Sequence, residues 1–275
     1  MKQLFYNEVN ILASLDHPNV LRFHDFFQSR NAYHLVTEYL PGVDLYDFVK
    51  KRGCKLPEEE AGAILRQLLL AVKHCHSKGV VHRDIKPENV FLSPEGKVTL
   101  IDFGLAKYTE EKDCDLVGTS YYMAPEMIRG RYDERCDVWS VGAVAFMMLT
   151  TYVPFGGRSR SNMFRKILSA PLRFPANAKV SNMARDIVRR LLEKDVCRRI
   201  TIEIALRHPF VAEKGQGVDG RDGKVEEVLR KIPVSTRVSS QVLNELGEQN
   251  SFRFPGYALK RVETESHFGG ALATT

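Results

Sequence analysis

His82-Arg83-Asp84-Ile85-Lys86-Pro87-Glu88-Asn89, with Asp102-Phe103-Gly104 downstream, is the stretch that decides how this chain is read. Between the two lie apolar runs at Val90–Leu92 and Val98–Ile101, separated by Ser93-Pro94-Glu95-Gly96-Lys97. Apolar runs around such a turn predict a short hairpin. Pairing its strands brings Asn89, at the start of one, to the same open edge as Asp102, at the end of the other. An amide oxygen and a carboxylate at one edge suit a hard divalent cation. Asp84, a few residues earlier, is placed to accept a proton from an attacking hydroxyl.

Outward from this stretch the pattern is mainly helical. Leu45–Lys51, Glu58–Lys78, Arg160–Ser169, Asn182–Lys194 and Ile202–His208 read as helices. Cys136–Thr151 is apolar on nearly every face, which places it in the middle of a core. On the N-terminal side, Leu4, Phe5, Val9, Leu12 and Leu15 recur at helical spacing over 2–16, and His17-Pro18-Asn19 ends that run. Strand-like runs follow at Val20–Phe27 and Ala32–Tyr39 around Gln28-Ser29-Arg30-Asn31, before Pro41-Gly42 breaks the chain. Beyond Phe210 the composition turns to Gly, Asp, Ser and Thr. Residues 211–275 read as a loosely ordered tail with one short helical pattern at Val225–Lys231.

The 275 residues contain no apolar run long enough to span a bilayer and no signal-peptide pattern. The five cysteines (Cys54, Cys75, Cys114, Cys136, Cys197) are odd in number, widely spaced and without a C-x-x-C pair. They read as free thiols of a reducing compartment, cytoplasmic or nuclear. A net charge of +6 is compatible with anionic ligands or with a merely solvated basic surface.

Taken with Ala124-Pro125-Glu126, the order and spacing of these motifs resemble the eukaryotic protein-kinase signature set. Alone, each piece is common in surface loops; together they are specific. Lys86 after Asp84, and Gly118-Thr119-Ser120-Tyr121-Tyr122-Met123 before Ala124, are similar to the serine/threonine class. Tyr132-Asp133-Glu134-Arg135-Cys136-Asp137-Val138-Trp139-Ser140 and His208-Pro209-Phe210 resemble the calcium/calmodulin-dependent and calcium-dependent kinases. The resemblance covers residues 2–210. It implies an α+β protein-kinase-like fold: residues 1–40 a truncated N-terminal lobe (helix C and two strands) with the hinge, 41–210 a mainly α-helical C-terminal lobe, and 211–275 the tail.

The resemblance also implies roles. Asp84 would be the catalytic base, with Lys86 on the transferring phosphoryl group and Asn89 and Asp102 on Mg2+. ATP would be gripped by Glu8 as the helix-C glutamate, Thr37 as gatekeeper, Glu38 and Leu40 of the hinge, Asp44 near the ribose and Phe91 under adenine. Glu88 and Asp44 would read arginine upstream of the phosphoacceptor, so the partners expected are protein substrates with basic residues, not nucleic acid. Leu12, Phe23, His82 and Phe103 would stack over Asp137, which would bond the catalytic-loop backbone, and Arg199 would pair with Glu126. Val196 stands where the family usually has proline. A carboxylate of the acidic stretch Glu110–Asp115 would pair with Arg83 and partly replace a phosphate, the alternative being a merely solvated acidic loop.

Other patterns carry less. Gly215-Gln216-Gly217-Val218-Asp219-Gly220 matches G-x-G-x-x-G, but after the last lobe helix and with no strand before it. His74-Cys75-His76 has neighbours two apart on a helix, which do not share a face. No D-x-[DN]-x-[DN]-G calcium loop is present. A glycine-rich loop and a third-strand lysine are expected ahead of Glu8, where only seven residues stand; Lys2 shares a helix with Glu8 and cannot face it. Two functions stay open: a serine/threonine protein kinase read from an incomplete chain, or a non-catalytic kinase-lobe scaffold. On either, the two predicted strands form a sheet remnant with an open edge.

Overall fold

The computed structural model describes residues 2–53, 55–109, 116–212 and 257–263, the last stretch by backbone alone at 257 and 261–263. Helix α1 (Lys2–Ser14) turns Phe5, Glu8, Val9, Ile11 and Leu12 inward. Strands β1 (Phe23–Gln28) and β2 (Ala32–Glu38) follow as an antiparallel pair. The short β3 (Val43–Asp44) leads into α2 (Leu45–Arg52) and α3 (Glu58–Ser77). The loop that begins at His82 follows β4 (Val80–Val81). Next come the hairpin strands β5 (Val90–Leu92) and β6 (Val98–Leu100), then β7 (Lys107–Tyr108), which pairs with β4. The remaining helices are α4 (Pro125–Ile128), α5 (Arg135–Thr150), α6 (Arg160–Ser169), α7 (Asn182–Leu191), α8 (Ile202–Leu206) and α9 (Pro209–Ala212).

Helix α5 is the centre of the large lobe: every residue from Cys136 to Thr150 is buried. Its uniformly apolar sequence has no other stable location, because each face needs a partner. Helices α3 and α7 pack against it. The α7 contact is close because Gly142 has no side chain; a Cβ there would lie 2.7 Å from Leu191 Cβ.

One strand lies where the tail was expected to be loosely ordered. Strand β8 (Tyr257–Glu263) adds to the free edge of β2, giving the order β1-β2-β8. The ladder is antiparallel over seven pairs, from Ala32↔Glu263 to Glu38↔Tyr257. The expected two-stranded remnant is therefore corrected: β2 is central, and its second edge is covered by the chain's own C-terminal segment. The other tail features, including Val225–Lys231 and Gly215–Gly220, lie outside the described residues, as does Glu110–Asp115.

Gly142→Ala should lower stability by about 1–3 kcal/mol, the usual cost of overpacking. The clash with Leu191 outweighs the roughly 1 kcal/mol gained by removing a helical glycine. Urea denaturation checks this, and an unchanged or higher midpoint would show that the α5–α7 contact can yield.

Candidate active site

Asp137 organises the loop. It is completely buried at the start of α5 and accepts three hydrogen bonds: from His82 N (2.9 Å), Arg83 N (2.9 Å) and, at the ring, His76 Nε2 (2.9 Å). Burial pushes this carboxyl upward, but the His76 bond and charge, with His82, hold it below the ordinary aspartate range. The loop so pinned carries Arg83 in the left-handed region (φ 66°), a strain tolerated where surroundings fix the backbone. His82 Nε2 donates to Ile101 O (3.1 Å) and its ring meets Phe103 edge-on (4.8 Å), tying the loop to the far end of the hairpin. Leu12 and Phe103 are buried in the same core, with Phe23 packed against it.

Asp84 is buried and fully engaged. Its Oδ1 accepts from Thr119 N (2.8 Å) and Thr119 Oγ1 (2.9 Å); its Oδ2 accepts from Lys86 Nζ (2.6 Å) and Asn89 Nδ2 (3.3 Å). Thr119 can approach because Gly118 (φ 96°) passes over the loop, where a Cβ would lie 2.5 Å from Arg83 O. Asn89 Nδ2 also donates to Asp84 O (2.9 Å). With its amide nitrogen spent on Asp84, Asn89 keeps its oxygen for another partner. Asp102 sits past the end of β6 with φ 62° and a side chain 47% exposed. An amide oxygen and an open carboxylate fit Mg2+, which takes one or two protein oxygens and completes its shell with water and phosphate.

Glu8 is buried on α1, and its carboxylate is met by Lys260 Nζ of β8 at 2.7 Å. The same ammonium donates to Asp102 Oδ1 at 3.2 Å. The expectation that no strand lysine faces Glu8 is thus corrected. Lys2 instead lies over the Tyr6 ring, 6.0 Å from its centroid. The geometry follows from two periodicities. Phe5 stacks on Tyr33 (5.0 Å); Glu8 follows one turn along α1, Leu35 follows two residues along β2 on the same face as Tyr33, and Leu35 is opposite Lys260 in the ladder. The two carboxylates hold the Lys260 ammonium above its ordinary range against the opposing effect of burial.

Residues 1–211 match the protein kinase domain family. The chain belongs to it. Among curated relatives, CDPK-related kinase 5 of Arabidopsis thaliana is 37% identical over 249 residues, covering 88% of this chain. CDPK-related protein kinase of Daucus carota is 40% identical over 212 residues, 74% of this chain. Calcium-dependent protein kinase 4 of Plasmodium berghei (strain Anka) is 35% identical over 218 residues, 76% of this chain. This is a protein kinase domain of the calcium-dependent serine/threonine group, a family of enzymes that generally use ATP and Mg2+ on protein substrates. The chain spans 41%, 35% and 41% of those three relatives' lengths, in that order.

Asp44 pairs with Phe91 in the β3–β5 ladder. Asp44 Oδ1 caps α2 by accepting from Asp47 N (2.9 Å), a structural duty the sequence reading did not assign. Thr37 is buried in β2 between Phe23 of β1 and Ala258 of β8. Glu38 N donates to Arg22 O (3.0 Å), and Leu40 follows half-buried. Glu88 is exposed, and its charge is felt by the buried Tyr122 hydroxyl, whose pKa is raised mainly by burial. Lys86 Nζ also bonds Thr119 Oγ1 (3.2 Å). Arg83 donates to Leu105 O (2.7 Å) and Tyr132 OH (3.1 Å). Arg199 grips Glu126 with two parallel bonds (2.5 and 2.9 Å), as expected. His74 and His76 part company: His74 stacks on His17, while His76 goes to Asp137. No helix among the described residues is long and apolar enough to cross a membrane.

Asp137→Asn should cost about 1–3 kcal/mol, because an amide NH2 would be turned toward backbone donors left unpaired. The depressed Asp137 pKa adds a pH signature. Its stabilisation is complete above the unfolded value near 3.9 and is lost as pH falls through the lower folded value. Urea midpoints measured down that range should fall less steeply for Asp137→Asn than for the wild type; parallel curves would remove Asp137 as the source.

Proposed function

We propose that this chain transfers the γ-phosphoryl group of ATP to serine or threonine hydroxyls of proteins, with Asp84 as the base. The observation that carries the reading is the fixed Asp84 carboxylate, flanked by Lys86 and Thr119 and one hydrogen bond from Asn89. The Thr119 hydroxyl already bonds Asp84 Oδ1 as an acceptor hydroxyl would. An incoming serine or threonine would take that place and give its proton to Asp84 as its oxygen bonds phosphorus and the bond to ADP breaks. Lys86 can move from Asp84 to the phosphoryl oxygens. Asn89 and Asp102 would hold Mg2+, which supplies neutralisation of phosphate charge. Thr37, Glu38, Leu40, Asp44 and Phe91 would line the adenosine site. The free Cys75, Cys136 and Cys197 suit a cytoplasmic or nuclear setting.

Asp84→Asn should lower the rate of peptide phosphorylation by about 10²–10⁴ while nucleotide still binds. Unchanged turnover in radiolabelled phosphate transfer would refute the base assignment. Exposed Glu88 and the second Asp44 oxygen favour guanidinium groups upstream of the acceptor. A degenerate peptide library should show arginine enrichment there, reduced by Glu88→Gln; a flat profile would contradict it.

A further inference from the structure

The position of β8 in the chain is unusual for the task its side chain could perform. In the signature set of the family, the lysine that faces the helix-C glutamate stands on a strand ahead of that helix. Here the lysine that faces Glu8 comes after the whole helical lobe, in Tyr257-Ala258-Leu259-Lys260. We propose that Lys260 is the phosphate-anchoring cation of this domain, so that the nucleotide site has its strand lysine only while the C-terminal strand is docked on β2. The proposal rests on the kinase reading above and deepens it: a segment beyond the lobe sets competence.

Three observations carry it. An ammonium has three N–H donors. Among the described residues two are assigned, to Glu8 and Asp102, and the Lys260 side chain is 45% exposed, so a third can meet a phosphate oxygen. The space beside the cluster is kept clear by Gly104. A Cβ there would lie 3.3 Å from Asp102 Oδ1, 3.7 Å from Glu8 Oε2 and 3.8 Å from Lys260 Nζ. Finally, the register is specific. A slip of one residue in the ladder would turn Lys260 to the opposite face of the sheet and leave the Glu8 carboxylate buried without it.

The charges add a condition. One ammonium stands against two carboxylates, so a phosphate is attracted only with a divalent cation also present at Asp102. The contribution of Lys260 is therefore expected for Mg2+–ATP and not for adenosine.

The test is calorimetric titration of the full-length chain, wild type and Lys260→Met, with adenosine and with Mg2+–ATP. Lys260→Met should bind adenosine as the wild type does and Mg2+–ATP about 10–100-fold more weakly, the loss expected for a hydrogen bond to a charged group. Retained adenosine binding also reports that the variant is folded. Equal Mg2+–ATP affinity in the two proteins, with adenosine bound by both, would overturn the assignment and leave the kinase reading intact. Parallel loss of adenosine and Mg2+–ATP would make Lys260 a strut, which also overturns it. A wild type that binds neither ligand would remove the nucleotide site itself, and the assignment with it.

Discussion

A carboxylate taken out of water must find donors inside the protein, and this requirement is met here by ties between distant parts of the chain. Asp137 is satisfied by the backbone of the loop at 82–83 and by His76 of α3. Glu126 is satisfied by Arg199, 73 residues away. Glu8 is satisfied by Lys260, 252 residues away. Removing one partner of a buried pair typically costs about 3–5 kcal/mol, because the other charge stays buried. Each tie therefore fixes a segment whose own secondary structure would not fix it. The loop at 82–89 has a single 3₁₀ turn, Pro87–Asn89, yet Asp137 gives it a defined path.

The same requirement links the two ends of the chain. Among the described residues, strand β8 lies at the sheet edge and pairs with β2 alone. Backbone pairing would accept several registers; the Glu8–Lys260 bond selects one of them. Because Asp102 shares the ammonium, docking of the strand is felt at the hairpin end where the candidate metal ligands stand. Sheet, helix α1 and the candidate metal-binding edge are tied through one nitrogen.

Much of this was legible in the sequence, and the exceptions have physical causes. Local periodicity gave α1, α3, α5 and the hairpin to within a few residues, since each buries a face that its own pattern defines. The placing of Asn89 beside the end of β6 was legible because a short hairpin fixes it, with Ile101 N donating to Asn89 O (2.9 Å), and Glu126–Arg199 because the family motif names both partners. Lys260 was not, although Tyr-Ala-Leu-Lys carries the small-apolar-lysine pattern of a sheet strand. Its role depends on pairing with a strand more than 200 residues earlier, and no local signal encodes a contact of that range. Asp44 was read for its charge, and its capping of α2 became evident only when the start of that helix was fixed.

The most direct test of the coupling is residue-resolved hydrogen exchange on the full-length chain, with α5 as the internal standard of protection. The account predicts protected amides within 258–263 and on the β8-facing edge of β2, both loosened by Glu8→Ala while α5 is unchanged. Exchange of 258–263 at the rate of a free peptide, with α5 protected in the same sample, would contradict it.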